Sequence, residues 1–217
     1  MGRRAGSRNL DYDWTRDGIV ANLATSILSS ERSNLSFREL AHAAGVSPST
    51  LRHYFPDRGQ VIQAVLARIH ELGLRYIAEG SSADRGPAPE ALRWFLSYLA
   101  EGWARGVGKA HVLGLVEGLG EPSIGPAYLR TLLEPSLQSA EARVALHVAR
   151  GELGPCDVRQ AAVELVAPVI VALLHQQALG GKGVRPLELE PFLDEHVRRF
   201  LRAYAPTSAV PDAPSPP

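Results

Sequence analysis

Between residues 38 and 58 the chain sets out a dense group of hydrogen-bond donors and cations, Arg38, Ser47, Ser49, Thr50, Arg52, His53, Tyr54 and Arg58, with Pro48 among them. Arginine and histidine reach base edges or phosphate oxygens, and short hydroxyls at a helix start bond to phosphate. The chemistry on offer is recognition of a nucleic acid. Such residues work only if a scaffold aims them together, and the intervening residues describe one. Ser36 and Glu39 have the S-x-x-E spacing of a capping box, so a helix starts at Ser36. Leu40, Ala41 and Ala44 fall on one face of it, and Gly45 stands where a left-handed residue is needed to end it. Gly45-Val46-Ser47 is the turn, with Ser47 as the next N-cap and Pro48 at the first helical position. Val46, Leu51 and Phe55 turn back onto the first helix, and Ala41 is small enough for the two axes to cross closely. Pro48, Ser49, Arg52 and His53 are left exposed. The unit is a helix-turn-helix, and double-stranded DNA is the partner it implies.

The run from Gly45 to Arg58, GVSPSTLRHYFPDR, resembles the end of the DNA-binding domain in the TetR family of bacterial transcriptional regulators, G-V-S-x-x-T-L-Y-x-H/Y-F-x-x-K/R. The departure is Arg52, where that family usually carries a tyrosine that contacts the phosphate backbone. An arginine there still pairs with phosphate or bidentately with guanine. The resemblance implies an N-terminal three-helix domain, and Trp14 to Ser30 supplies the upstream helix through Ile19, Leu23 and Ile27 at i, i+4, i+8. Arg38 and Arg58 flank the reading residues as phosphate-reaching cations.

Beyond the motif the pattern is helical, so the expected fold is all-α. Asp57 and Gln60 form a capping pair for a long helix through Val61, Ile62, Val65, Leu66, Ile69, Leu72 and Ile77. Glu79 to Pro89, with two glycines, two serines and two prolines, reads as a loop. Helical patterns follow over Ala91 to Ala104, His111 to Leu119 and Tyr128 to Arg150, then a loop at Gly151 to Pro155 and a helix capped by Asp157. Val158 to Leu179 is hydrophobic around most of its circumference, which predicts burial on more than one side. Pro168 inside it should kink it or remove one backbone hydrogen bond. Pro191 to Tyr204 is the last helix. The resulting division is a basic flexible arm over 1–12 carrying Arg3, Arg4 and Arg8, a helix-turn-helix domain over 13–56, and a linking helix over 57–78. An effector-binding and dimerisation domain over 79–205 and a disordered proline-rich tail over 206–217 follow.

In the TetR resemblance the two C-terminal helices make a homodimer through a four-helix bundle, and two recognition helices reach adjacent major grooves of a palindromic operator. The helices between imply a pocket for a small apolar or aromatic effector. Trp94 and Tyr98 share a helical face at i, i+4, and Trp103, His111, Glu117, Tyr128, His147 and His175 are further candidates. Each of these alone also suits an ordinary core or surface position.

Composition bounds the remaining classes. Lys and Arg total 23 and Asp and Glu 23, so the net charge is zero and any DNA contact depends on where the cations lie. The seven histidines are scattered without the spacing of a helical metal site, so neither metal nor cofactor is expected. Gly180-Gly181-Lys182-Gly183 follows a helix, lacks P-loop spacing and reads as a helix stop with a flexible loop. Cys156 is the single cysteine and has no adjacent base, so no intrachain disulfide and no thiol nucleophile are expected. The chain is read as a non-enzyme. No run is taken as long and apolar enough to cross a membrane, and the N-terminus lacks an apolar signal stretch, so a cytoplasmic location is expected. The reading is a ligand-responsive DNA-binding regulator, a repressor released by its effector. The alternative is an all-α ligand-binding or scaffold protein that has lost DNA affinity.

Overall fold

The computed structural model describes residues 5–29, 35–81 and 85–206, and among them the chain is helical with no strand. Helices α1 (Ala5–Ser29), α2 (Phe37–Ala43) and α3 (Pro48–Tyr54) precede α4 (Arg58–Ser81), which joins them to the rest. The short helices are specified locally. At the start of α2 the Ser36 N–H donates to the Glu39 carboxylate at 2.8 Å and the Glu39 N–H to Ser36 Oγ at 3.3 Å, the reciprocal capping box. At its end Gly45 takes φ +73°, while the Val46 N–H reaches the Ala41 carbonyl and the Gly45 N–H that of His42, a Schellman pairing. Asn22 of α1 donates to the Ala44 carbonyl at 3.3 Å and ties the turn to the first helix. Ser47 Oγ accepts the Thr50 N–H at 3.0 Å and starts α3.

Leu23, Leu40, Leu51, Phe55, Val61 and Val65 are buried where α1 to α4 meet. Each contributes roughly 1.5–3 kcal/mol relative to exposure. This core continues without a break into Ala110, Leu113, Ile124 and Tyr128 of the following helices. The helix-turn-helix and the segment behind it are therefore packed as one.

α5 (Ala88–Gly102) passes through a π-helical turn at Trp103–Val107 into α6 (Gly108–Gly120), with Gly106 at φ +118° making the bend. α7 (Ile124–Tyr128) likewise runs through a π turn, Leu129–Leu133, into α8 (Glu134–Ala149). α9 (Val158–Leu173), capped by Asp157 accepting the Gln160 N–H at 2.9 Å, continues as a π turn over Leu174–Ala178. Gly180 at φ +74° ends it, and α10 (Gly181–Val184) and α11 (Leu189–Ala203) complete the chain. α5, α8, α9 and α11 enclose a second core around Leu92, Leu96, Val144, Leu165, Val169 and Leu193. Arg93 of α5 pins α11 through Glu190 and Asp194.

α6 is built for close approach. A Cβ at Gly108 would lie 2.3 Å from Trp103 Nε1, and one at Gly114 would lie 2.2 Å from Tyr128 Cδ2. Gly118 meets Gly125, whose Cα would stand 3.0 Å from an added Cβ.

Several expectations are corrected. α1 begins at Ala5 rather than Trp14, so residues 5–12 of the expected arm are helical; Arg3 and Arg4 lie outside the described residues, as do tail residues 207–217. α4 continues to Ser81 into the expected loop, and the middle helices are longer, α7 running into α8 through a π turn and α5 meeting α6 at the kink of Gly106. The glycine run gives a helix stop followed by the single turn of α10 instead of a loop. Pro168 lies on the exposed face of an unbroken α9, where its missing N–H costs one bond to the Glu164 carbonyl. The helix Val158–Ala178 is long and apolar enough to cross a membrane by length and composition, contrary to the expectation. In this fold Ala161, Leu165, Val169 and Leu173 pack inward, while Val163, Ala167 and Val171 stay exposed, so the chain itself buries only one side of α9.

Candidate functional site

At the reading head, Arg38, Ser47, Pro48, Ser49, Arg52 and His53 are exposed and Thr50 and Tyr54 half-buried. Ser47 Oγ lies 2.8 Å from both Ser49 Oγ and Thr50 Oγ1, so the short hydroxyls are drawn into the cap of α3. The longer side chains extend further. Arg52 holds its guanidinium over the Phe37 ring at 5.2 Å, and Phe37, Arg38, Pro48, Ser49 and Arg52 line one shallow depression between α2 and α3. Arginine stacked on an aromatic ring keeps its planar fork presented in one orientation.

Arg58 is placed elsewhere. Its guanidinium forms a bidentate ion pair with Glu117 of α6, one arm at 2.6 Å, and its Nε donates to the Leu35 carbonyl at 2.8 Å. The hydrogen bonds that Arg58 donates to Glu117 raise its pKa above the ordinary value against the opposing effect of burial. Arg58 was expected at phosphate and Glu117 at an effector. They engage each other, because α4 leaves the reading head toward α6 rather than toward the DNA side.

Behind the reading head lies an interior cavity of about 270 Å³ between α4, α5, α6 and α8. Of the eight effector candidates, Tyr98, Trp103 and His111 line it. The Trp103 and His111 rings stack at 5.2 Å, and His111 Nδ1 lies 2.9 Å from the Tyr128 hydroxyl. Burial pushes the His111 pKa down to about 4 and that of Tyr128 up to about 12, so the imidazole is neutral at pH 7. Tyr128 thus acts on the cavity through His111.

The other candidates lie off the cavity. Trp94 stacks on Tyr98 at 4.8 Å from outside and carries Arg85 over its other face at 3.7 Å. His147 is buried beside Glu152, its pKa lowered chiefly by burial. His175 sits exposed beyond α9 against Gly181.

Sequence reasoning missed Tyr76 and His70 of α4. Tyr76 stacks on Tyr98 at 3.9 Å; each hydroxyl donates to the other residue's main-chain carbonyl, latching α4 to α5. Burial raises both phenol pKa values to about 12. His70 Nδ1 donates to the Thr131 carbonyl at 2.7 Å. The signal was available for Tyr76, which stands seven residues after Ile69 on the apolar stripe of the linking helix. A polar-tipped aromatic on such a stripe faces whatever that stripe packs against.

Known proteins show the same arrangement. Residues 103–206 match the family described as AefR-like transcriptional repressor, C-terminal domain, which covers the cavity's α6 to α8 wall and the final helix pair. The match spans just under half of the chain, which is thus similar to the TetR family in its C-terminal part. Its fold is that of TetR-family regulator structures. A TetR-family regulator from Mesorhizobium loti aligns at 18% identity, covering 89% of this chain and 98% of that one, with a TM-score of 0.64. The flavonoid-responsive regulator FrrA aligns at 20% identity over 90% of this chain and 100% of its own, TM-score 0.59. RolR in complex with resorcinol aligns at 17% identity over 93% and 92%, TM-score 0.57. No curated protein matches the sequence. The shared fold places the helix-turn-helix at one end and the cavity behind it.

Proposed function

We propose that the chain is a ligand-responsive repressor that binds a palindromic operator as a homodimer and leaves it when a small apolar or aromatic effector fills the cavity. One observation carries this reading. α6 bears both His111, in the cavity wall, and Glu117, which holds Arg58 at the first turn of α4 directly behind the recognition helix. Six residues separate them, about 9 Å along a helix axis. A ligand that moves α6 therefore pulls on the reading head through a buried ion pair, and coupling of the two sites is reciprocal. The second route is α4 itself, whose Ile69, His70 and Tyr76 touch the cavity.

DNA contact falls to Arg38, Arg52 and His53, with Ser47, Pro48, Ser49, Thr50 and Tyr54 at the surface they share. Dimerisation is supported by the exposed apolar side of α9, where Val171 is 63% and Val163 40% accessible beside α11. Helices apolar on a second side are buried by a second copy. Among proteins of the same fold, FrrA is a flavonoid-responsive regulator and RolR is found in complex with resorcinol, in keeping with an aromatic effector.

The test is anisotropy titration of the full chain against the intergenic DNA upstream of its own reading frame, with excess competitor. Expected is retained binding that protects two half-sites one helical turn or a multiple apart. Binding no stronger than to competitor DNA at several salt concentrations would instead assign the chain as a ligand-binding scaffold.

A further inference from the structure

Five polar side chains at the cavity wall have already committed their hydrogens, and that restricts what can enter it. The Thr131 hydroxyl donates to the Ala127 carbonyl at 2.8 Å and the Ser136 hydroxyl to the Leu132 carbonyl at 3.3 Å. Tyr76 and Tyr98 donate to each other's main chain, and His70 donates its Nδ1 proton to the Thr131 carbonyl. A hydroxyl has one proton and two lone pairs, and a neutral imidazole has one donor and one acceptor. What these five side chains retain is acceptor capacity. A ligand offering only acceptors would leave these five unmatched.

Charge narrows the choice further. Among the described lining residues there is no carboxylate, and Arg105 stands at the wall with its guanidinium 5.8 Å from the Tyr76 ring. Arg143, fully buried, lies 4.3 Å from the ring of Phe95, itself a lining residue. Arg105 is paired with Glu101 at 3.0 Å, so the buried Arg143 is the guanidinium that disfavours a cationic guest. Size and shape come from the stacked Trp103 and His111 rings and from the volume: a cavity of ~150 Å³ holds benzene, so this one suits two fused rings.

Resting on the reading of the cavity as the effector site, we propose that its ligand is a two-ring aromatic that carries hydroxyl donors and no positive charge. Donors on the ring edges meet Thr131, Ser136 and His70 while the ring face lies on Trp103 and His111.

The test is calorimetric titration of the full chain with four probes at pH 7.5: 2,7-dihydroxynaphthalene, 2,7-dimethoxynaphthalene, naphthalene and naphthylmethylammonium. The dihydroxy probe binds about ten-fold or more tightly than either donor-free probe, and the ammonium probe is weakest. The double variant Thr131→Val, Ser136→Ala lowers affinity for the dihydroxy probe by a similar factor and leaves that for naphthalene unchanged, which also reports that the cavity is intact. Equal affinity for the dihydroxy and donor-free probes, or tighter binding of the ammonium probe, overturns the donor requirement while the effector cavity stands. Failure of all four probes to bind overturns the cavity reading itself.

Discussion

Replacing Glu117 with Gln tests the joint between reading head and cavity with almost no change in shape. Removing one member of a fully buried ion pair costs roughly 3–5 kcal/mol because the other charge is left without compensation. Here the Glu117 side chain is 9% exposed but that of Arg58 is 29%, so water can recover part of the guanidinium's solvation. The glutamine also keeps one acceptor for one arm of the fork. A cost of about 2–3 kcal/mol follows. For a chain of this size each kcal/mol moves Tm by roughly 2–4 °C, so Tm drops by about 5–10 °C in calorimetry. Glu141→Gln is the control: Glu141 pairs at 2.6 Å with Arg159, whose side chain is 48% exposed, and loss of this solvated pair leaves Tm nearly unchanged. The double change Arg58→Met, Glu117→Leu recovers most of the stability, since an apolar pair suits the site. It does not recover the coupling, so the ratio of operator affinities with and without ligand moves toward one. A Glu117→Gln protein that melts within 2 °C of the wild type, no lower than Glu141→Gln, would refute the reasoning about this joint.

Gly114→Ala drives a methyl into Tyr128, displacing its hydroxyl from His111; overpacking of this kind costs about 1–3 kcal/mol and weakens ligand binding, read by urea unfolding and calorimetry. His111 makes stability pH-dependent: its folded pKa of about 4 lies below the ordinary 6.5, so the unfolded chain binds the extra proton between those values. Stability contributed by the neutral imidazole is thus complete above about pH 6.5 and is lost as pH falls toward 4, by up to ~3 kcal/mol. His147, also lowered, acts in the same direction, so His111→Gln flattens the slope of urea stability between pH 7.5 and 5 without abolishing it. Arg52→Ala weakens operator binding by about ten-fold or more with an unchanged melting curve, and an unaltered affinity in anisotropy would remove Arg52 from the contact set.

What could be read from the sequence is what is fixed within a few residues. The capping box at Ser36, the left-handed Gly45, the cap at Ser47 and the cap at Asp157 each close with partners no more than five positions away, and all are found in the structure. The π turns were not legible, because the side-chain pattern on either side of an inserted residue still looks helical. Nor was the Arg58–Glu117 pair, whose members stand 59 positions apart and meet only once α6 crosses the start of α4. The cavity was half legible. Aromatic residues with polar tips were visible as a class, but which of them face inward depends on the bend at Gly106 and on the Tyr76–Tyr98 latch.

The glycines of α6 have a consequence for how such a protein can change over generations. Gly114 and Gly118 each weaken the helix by roughly 1 kcal/mol relative to alanine, so α6 is kept helical by the neighbours it admits. Trp103 in the cavity wall and Tyr128 behind it through His111, which occupy the spaces over Gly108 and Gly114, are thereby structural supports as well. Substitution on that wall alters the helix along with the ligand fit. On the facing wall Leu72, 55% exposed, carries no such double duty. New effector preferences are therefore acquired most readily on the α4 and α5 side, while the α6 wall stays as the inherited half of the site.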